Sequence, residues 1–177
     1  SSFVDAPGTM VVDEGEIVEQ QVVSGIAYSK DEAKVTLVKV ADRPGIAAGI
    51  FGPLADAAIN VDMIVQNVSE DGKSTDLTFT VAKADLDRTV QVLEARKAEL
   101  GYKAITPDPN VVKISVIGVG MRSHAGVAQT MFKTLAEKGI NILAITTSEI
   151  KVSVLISSEY TELAVRALHT AYGLDAE

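Results

Sequence analysis

The hydrophobic and polar positions along this chain predict the same order of elements twice. Alternating apolar and polar side chains indicate half-buried strands, and apolar side chains at every third or fourth position indicate amphipathic helices. In the first copy these patterns give the order strand, helix, strand, strand, helix, strand. The strands are predicted over residues 33–40, 61–69, 74–82 and 102–106, and the helices over residues 44–58 and 85–100.

The second copy predicts the same order of elements but lacks the closing strand. A strand candidate over residues 21–29 lies before the first copy and has no place in it. We therefore expect this strand to complete the second unit, so that the first unit is inserted into the second. The strands of the second copy are predicted over residues 111–119, 141–148 and 150–158, and its helices over residues 125–138 and 160–172.

Three local sequences are predicted to modify these elements. The polar residues 30–32 indicate a turn between the first strand candidate and residues 33–40. Pro53 removes a backbone donor and should kink or weaken the first helix, whereas Pro44 fits the first turn of that helix. Residues 107–110, which read PDPN, indicate a boundary between the two units.

The two copies also agree residue by residue. Lys34 aligns with Lys113, the second loop is then two residues longer, and Gly45 aligns with Gly126. Similar cores with loops of different length indicate two similar domains, each with its own loop leading into a helix. The later aligned pairs are Ala47 and Ala128, Phe51 and Phe132, Leu54 and Leu135, Ile59 and Ile140, and Asn60 and Asn141.

Composition and charge argue against several functions. The 177-residue chain has a net charge of −8 and 5% aromatic residues, whereas a nucleic-acid platform needs a basic face with stacking aromatics. The negative charge disfavours anionic membranes, and no apolar run approaches the ~20 residues of a membrane span. The sequence contains no Cys, so disulfides and thiolate chemistry are impossible. We expect a cytoplasmic protein that binds neither nucleic acid nor membrane.

The residues also disfavour catalysis. The sequence has two His residues, and it shows neither a phosphate-binding loop nor acidic residues and His at metal-binding spacing. We expect no cofactor and no metal. Four antiparallel strands backed by two helices instead predict an α+β fold made of two ferredoxin-like βαββαβ units in tandem. Because many functions use this fold, the function must be argued from particular residues.

Three segments resemble ACT domains, which are small-molecule sensor modules that usually bind amino acids. The sequence DRPGIA from Asp42 resembles the D-x-P-G-x-A loop of these domains. The run NVDMIVQNVS from Asn60 resembles the first ACT domain of aspartokinases, and NI from Asn141 with TTSEI from Thr146 resembles the second. The resemblance covers residues 20–175 and is closest to the separate regulatory (beta) subunit of actinobacterial and bacillus-type aspartokinases.

This resemblance implies a regulatory subunit without catalytic activity of its own. It implies allosteric feedback inhibition of aspartokinase by L-threonine, or by L-threonine with L-lysine, in lysine and aspartate-family biosynthesis. It also implies a homodimer joined through ACT domains, with a catalytic aspartokinase subunit as partner. The alternative is a sensor subunit of another biosynthetic enzyme such as acetolactate synthase, since that family shares the Pro-Gly loop.

The domain boundaries follow from the same resemblance. Residues 31–106 are expected to form the first ACT domain, and residues 21–30 together with 107–177 the second. The first domain is thus inserted into the second by a swapped N-terminal strand. Residues 1–20 are expected to be a flexible leader that resembles the last piece of a catalytic domain.

A free amino acid needs amide donors for its carboxylate and acceptors for its ammonium group. A helix N-terminus supplies such donors, and Gly45 would let the backbone approach closely. Asp42 could accept from the ammonium group, and Gln66 could bind a side-chain hydroxyl. The resemblance places threonine between this loop and the strand start of a domain from another chain. It assigns Asp42, Gly45, Ile46, Ala47 and Gln66 to one side, and Asn141 and Ile142 to the other.

The second loop departs from this motif, because Met121 stands where the first loop has Asp42. It is expected to bind a different effector or none. The candidate residues for this second effector site are Met121, Ser123, His124, Gly126 and Val127, together with Asn60, Val61 and Thr147.

Purely structural roles are the alternative for the same residues. Asp42 could stabilise the turn and the helix start, and Gly45 could only relieve crowding in the loop. Asn60 and Asn141 could be helix C-cap residues. Gln66 could be an ordinary outward polar residue of a strand.

Overall fold

The computed structural model describes residues 23–68, 70, 72–118 and 124–174. The predicted leader over residues 1–20 and the loop residues Met121 and Ser123 fall outside these ranges. The described strands are β1 (Val23–Ala41), β2 (Val61–Val68), β3 (Ser74–Val81), β4 (Ala104–Gly118), β5 (Ala144–Thr147) and β6 (Lys151–Ser157). The described α-helices are α1 (Ile46–Asp56), α2 (Leu86–Glu94), α3 (Lys97–Leu100), α4 (His124–Glu137) and α5 (Thr161–Ala171), and the 3-10 turns Lys83–Asp85 and Ser158–Tyr160 precede α2 and α5.

The strands form one six-stranded sheet in the order β2-β3-β1-β4-β6-β5, with antiparallel neighbours throughout. The long strands β1 and β4 serve both units. The second half of β1 lies between β3 and the start of β4, so that Val35 is opposite both Phe79 and Pro107. The first half of β1 lies beside the end of β4, where Tyr28 is opposite Ile114. The predicted α+β fold class with two tandem units is therefore confirmed.

The predicted turn at residues 30–32 is wrong, and residues 107–110 do not interrupt their strand, while the domain boundary predicted there stays a prediction. Both segments lie inside continuous strands. The reason is that β1 shifts register between Ser29 and Glu32 and again between Glu32 and Lys34. Such irregularities let a strand bend without ending, and they accommodate neighbouring prolines that cannot donate to the ladder.

The predicted second helix is also wrong in its continuity, because it divides into α2 and α3. The hydroxyl of Tyr102 donates to the backbone carbonyl of Leu93 at 3.0 Å. The amide of Arg96 donates to the same carbonyl at 3.1 Å, and Arg96 leaves the helical region with φ −113°. The tertiary contact with Tyr102 thus accompanies a tightened turn that ends α2. By contrast, α1 continues through Pro53, with the amide of Ala57 bonded to its carbonyl at 3.1 Å.

Three clusters of buried side chains stabilise the sheet. The first lies between α1, α2 and the first half of the sheet, where the rings of Phe51 and Phe79 meet edge to face with centroids 5.3 Å apart. The second lies under α4 and α5. The third joins the two units and contains Met63, Val111, Ala144 and Leu155. The packing of β2 against the second unit therefore positions the two domains relative to each other.

Candidate functional site

The loop between β1 and α1 is built on a type II turn. Pro44 occupies its second position, Gly45 its third with φ 89° and ψ −8°, and the amide of Ile46 donates to the carbonyl of Arg43 at 3.2 Å. The prediction that Pro44 opens the helix is therefore wrong, and α1 begins at Ile46. A Cβ on Gly45 would meet nothing within 4 Å. In this chain the glycine is required by its positive φ and not by crowding.

The start of α1 is open to solvent and can accept an anion. Gly45 contributes no side-chain cap, and the first helical bond runs from the amide of Gly49 to the carbonyl of Gly45 at 3.0 Å. The amides of the first turn have no intrahelical acceptor, and the helix dipole favours negative charge there. Ala47 and Ala48 are exposed and small, so a carboxylate can approach these amides.

Asp42 extends the pairing of β1 with β3 by one residue. Its amide donates to the carbonyl of Lys73 at 3.0 Å, and its side chain is exposed. Within the described residues no hydrogen bond joins its carboxylate to the turn or to α1, so the structural role considered for this side chain is not seen. The carboxylate is available to a positively charged group beside the open helix start.

Gln66 shares a face and an end of the sheet with this loop. It lies in β2 directly opposite Leu77, which lies opposite Leu37, and both leucines are buried beneath the helices. Residues directly opposite in an antiparallel pair point to the same face. Gln66 therefore points to the helix side of the sheet, where it is exposed. It lies two residues from the strand end at Val68.

The other predicted half of the site lies at the opposite end of a unit. Asn60 and Val61 precede or begin β2, whereas the loop at Asp42 adjoins the far end of that strand. Their counterparts Asn141 and Ile142 occupy the same place before β5, with Asn141 exposed and Ile142 packed on the second cluster. Within the first unit, Asn60 and Val61 are thus separated from the loop by the length of β2. The predicted partners of the loop, Asn141 and Ile142, belong to the second unit, so a site that includes them would join two domains.

The alternative role of the two asparagines as helix C-caps is wrong. The left-handed residue that ends α1 is Ala58, with φ 59°, and the one that ends α4 is Gly139, with φ 70°. Each is followed by an isoleucine whose amide bonds back into the helix, which is the Schellman arrangement. Asn60 and Asn141 lie beyond these caps.

The glycine of the second motif does not lie in a turn like that of Gly45. Gly126 lies inside α4, where its carbonyl accepts from the hydroxyl of Thr130 at 3.2 Å. Val127 is buried, and its carbonyl accepts from the hydroxyl of Tyr172 at 2.5 Å. His124 begins α4, but its side chain lies outside the described residues. Thr147 is exposed at the end of β5, opposite Val152. Val127 thus has a structural role beside any binding role.

A cluster of charged side chains beside the third core was not predicted. Glu32 of β1 is only 8% exposed, and its Oε1 has no hydrogen-bond partner among the described residues. Lys113 of β4 forms an ion pair with Asp62 of β2. Burial raises the pKa of the Glu32 carboxyl, and the charge of Asp62 raises it further, while Thr80 and Lys113 oppose this shift. No sequence pattern indicates this cluster, because residues 30–32 have the composition of a turn.

The described residues contain no group of three or more His, Cys, Asp or Glu that could hold a metal ion. Across the same part of the chain, no helix is long and apolar enough to cross a membrane.

The candidate site is a surface loop with backbone donors, a carboxylate and an amide side chain. Its chemistry suits recognition of a small zwitterion.

Two ACT domain families match the chain, one over residues 34–101 and the other over residues 114–172. An aspartate kinase from Stutzerimonas stutzeri is 54% identical over 176 residues, which is 99% of this chain and 42% of the relative. An aspartokinase from Helicobacter pylori is 52% identical over 179 residues, covering 99% of this chain and 44% of the relative. The chain thus spans less than half the length of these curated relatives.

Two solved structures match over nearly all of their own length. One chain of a crystal structure of aspartokinase alpha and beta subunits has 50% identity and a TM-score of 0.80, covering 85% of this chain and 99% of that one. The ligand-free regulatory subunit of aspartate kinase from Thermus thermophilus has 40% identity and a TM-score of 0.79, covering 85% and 98%. These similarities favour aspartokinase over the acetolactate synthase alternative. The chain belongs to the aspartokinase family and consists of tandem ACT domains of the kind that forms aspartokinase regulatory subunits.

Proposed function

We propose that this chain is the part of an aspartokinase that binds an amino-acid effector and regulates the catalytic part. The effector is L-threonine, or L-threonine together with L-lysine. The observation that carries the proposal is the type II turn at Pro44 and Gly45, which leads into an exposed helix start beside the free carboxylate of Asp42. The similarity to aspartokinases supports the identity of the regulated enzyme, and the polar groups of this loop support an amino acid as the ligand.

Each group of threonine has a matching group at the loop. The ligand carboxylate binds the amides of Ala47 and Ala48 in the first turn of α1, beside Ile46, whose own amide already donates to the carbonyl of Arg43. The ammonium group pairs with Asp42. The hydroxyl binds the side-chain amide group of Gln66, which is exposed on the same face of the sheet. Charge-assisted bonds of this kind are stronger than neutral ones, so the two ends of the zwitterion provide most of the affinity.

A second copy of the chain completes the site. Its Asn141 and Ile142 lie before an edge strand, and the edge strands β2 and β5 are the places where another sheet can pair. Ile64 and Ile145 occupy aligned places in these two edges, and they are 50% and 43% exposed. Two identical contacts then form around a two-fold axis, as a homodimer requires. The effector ties the copies together because it contacts both.

Regulation follows from a difference in affinity between two arrangements of the paired domains. An effector that binds one arrangement better shifts the protein toward it, and coupling of 1–3 kcal/mol is typical. The activity of the catalytic part, which lies in a separate subunit or in the same polypeptide, changes with this shift. Both parts act in the cytoplasm. Gly126 does not occupy a turn like that at Gly45, since it lies inside α4. We therefore assign one threonine per chain, at the Asp42 loop.

Calorimetric titration with L-threonine and then L-lysine tests the proposal. L-Valine is the matched control ligand, because it keeps the shape and the zwitterion of threonine but lacks the hydroxyl. The expected result is about one threonine per chain, with valine binding at least tenfold more weakly. If neither threonine nor lysine binds to the chain alone or with the catalytic part present, the proposed function is wrong. Inhibition of the reconstituted kinase by threonine then checks the regulatory role.

A further inference from the structure

Strand β1 contains a bulge directly before the effector loop. Leu37 is opposite Leu77 and Val40 is opposite Thr75, so that two residues of β1 face a single residue of β3. Those two residues are Val38 and Lys39, and the single residue is Asp76. Lys39 adopts φ 56°, a left-handed conformation that a lysine rarely takes. The extra residue makes β1 bend and twist at this point.

The bulge is held by contacts on both sides of β1. The amide of Lys39 donates to Oδ1 of Asp76 at 2.9 Å, so the carboxylate takes up the donor that the ladder leaves unpaired. On the other side, the carbonyl of Val38 accepts from the amide of Lys103 at 2.8 Å. Asp76 is itself exposed, so its side chain contributes this bond and no core packing.

The bulge determines which way the end of β1 faces. Leu37 and Val40 are both fully buried although they are three positions apart, whereas an unbroken strand would turn them to opposite faces. Regular pairing resumes with Ala41 opposite Ser74, and the amide of Asp42 then donates to the carbonyl of Lys73. Removing the extra residue from the ladder would shift Asp42 by one position and turn its side chain to the other face.

We infer that Asp76 is a positioning residue for the effector loop, acting through the bulge at Lys39. This inference rests on the proposed function for its effect on binding, but its structural part can be tested without a ligand. The alternative is that the buried side chains of Leu37 and Val40 hold the bulge unaided. Under that alternative, loss of the carboxylate would lower stability and leave the loop unchanged.

Three variants separate these possibilities. Asp76→Ala removes the acceptor, and Asp76→Asn keeps an oxygen in the same place. The double variant Lys39→Gly with Asp76→Ala removes the acceptor but places a residue that takes a positive φ without strain in the bulge. Asp108→Ala is the matched control, because the carboxylate of Asp108 likewise accepts from a backbone amide, that of Asn110 at 2.9 Å, within β4.

The first readout is the backbone amide NMR signals of Asp42, Arg43, Gly45 and Ile46 in the ligand-free protein, since Pro44 has no amide proton. The second is the Kd for L-threonine by calorimetry. Asp76→Ala should shift the loop signals and weaken binding at least tenfold. Asp76→Asn, the double variant and Asp108→Ala should each stay within threefold of the original Kd, with the original loop signals.

Unchanged loop signals in Asp76→Ala would overturn the inference, whatever the effect on stability. Shifted signals with an unchanged Kd would overturn the role in effector binding. If the unmodified chain binds no threonine or lysine, the proposed function fails, and the loop signals alone still decide whether Asp76 positions the loop. If threonine binding is weakened in Asp76→Ala and stays weak in the double variant, the carboxylate does not act through the bulge, and the inference is overturned.

Discussion

Ala58 and Gly139 end equivalent helices in the same left-handed conformation, with φ 59° and 70°. In both places the isoleucine that follows bonds back to a leucine carbonyl of the last turn, Ile59 to Leu54 and Ile140 to Leu135, each at 2.9 Å. The second unit thus uses glycine where the first unit uses alanine. The Cβ of Ala58 is strained in this conformation, since left-handed backbone costs an L-residue about 1–2 kcal/mol.

Ala58→Gly is therefore expected to raise the free energy of unfolding by about 0.5–1 kcal/mol, because relief of strain exceeds the entropy gained by the unfolded chain. Gly139→Ala should lower it by about 1 kcal/mol for the converse reason. Urea unfolding measures both changes. Ala95→Gly serves as the control, since Ala95 has a helical φ of −64° and glycine should destabilise there. A loss of stability in Ala58→Gly would contradict the argument from strain.

The buried carboxyl of Glu32 predicts a dependence of stability on pH. Its pKa is raised in the folded chain, so the folded state holds a proton that the unfolded state releases at the same pH. Stability is therefore lost as the pH rises from the usual pKa of a glutamate through the raised value. Burial is the largest cause of the raised pKa and the charge of Asp62 the next, Thr80 and Lys113 oppose them, and Asp31 adds the smallest contribution.

Glu32→Gln removes this charge at every pH. At pH 7 the free energy of unfolding of the variant is expected to be higher, because glutamine carries no charge that burial and the neighbouring carboxylate of Asp62 disfavour. At pH 4 the two proteins should be equally stable. Urea unfolding between pH 4 and 8 gives the comparison, with Glu137→Gln, at the exposed end of α4, as control. A difference that does not change with pH would show that Glu32 acts by packing alone.

The sequence was sufficient for the repeat and for the type of nearly every element, because hydrophobic periodicity is a local property. It was insufficient where distant residues decide. The division between α2 and α3 involves Tyr102, which binds the carbonyl of Leu93 from outside the helix. The continuity of β1 through Glu32 depends on the strands beside it. No pattern within residues 30–32 distinguishes a buried bulge from a turn.

Part of the candidate site could likewise be predicted from the sequence, and part could not. The loop was found from its motif, yet Pro44 and Gly45 were assigned to the wrong local structure. The dipeptide Pro-Gly is typical of the two central positions of a type II turn, and that signal was available. The bulge opposite Asp76 had a weaker signal, since the buried Val40 breaks the alternation set by Val35 and Leu37. Only the pairing with β3 identifies the residue that supports it.

Asp42→Ala and Gln66→Ala are expected to weaken threonine binding without unfolding the protein. Each removes one polar contact with the ligand, and bonds to charged groups contribute about 1.5–3 kcal/mol, so the loss for Asp42→Ala should be roughly tenfold or more. Both side chains are exposed, so the free energy of unfolding should change by less than about 0.5 kcal/mol. Calorimetry and urea unfolding measure the two effects, with Gln91→Ala on α2 as control. Unchanged affinity in both variants would remove the site from this loop.

The edge strands predict how two copies associate. Pairing of another strand with β2 or β5 would cover Ile64 and Ile145, and a lysine at such an edge opposes pairing. Ile64→Lys should therefore shift the mass measured by light scattering from dimer toward monomer. Leu163→Lys is the control and should leave the mass unchanged, because Leu163 is 38% exposed but lies on α5, away from both edge strands. Threonine should restore part of the dimer in Ile64→Lys, because a ligand held by both copies stabilises their association. A monomer of the unmodified chain at millimolar threonine would contradict the proposal that the site is shared, because a site built from two copies needs both copies to be associated.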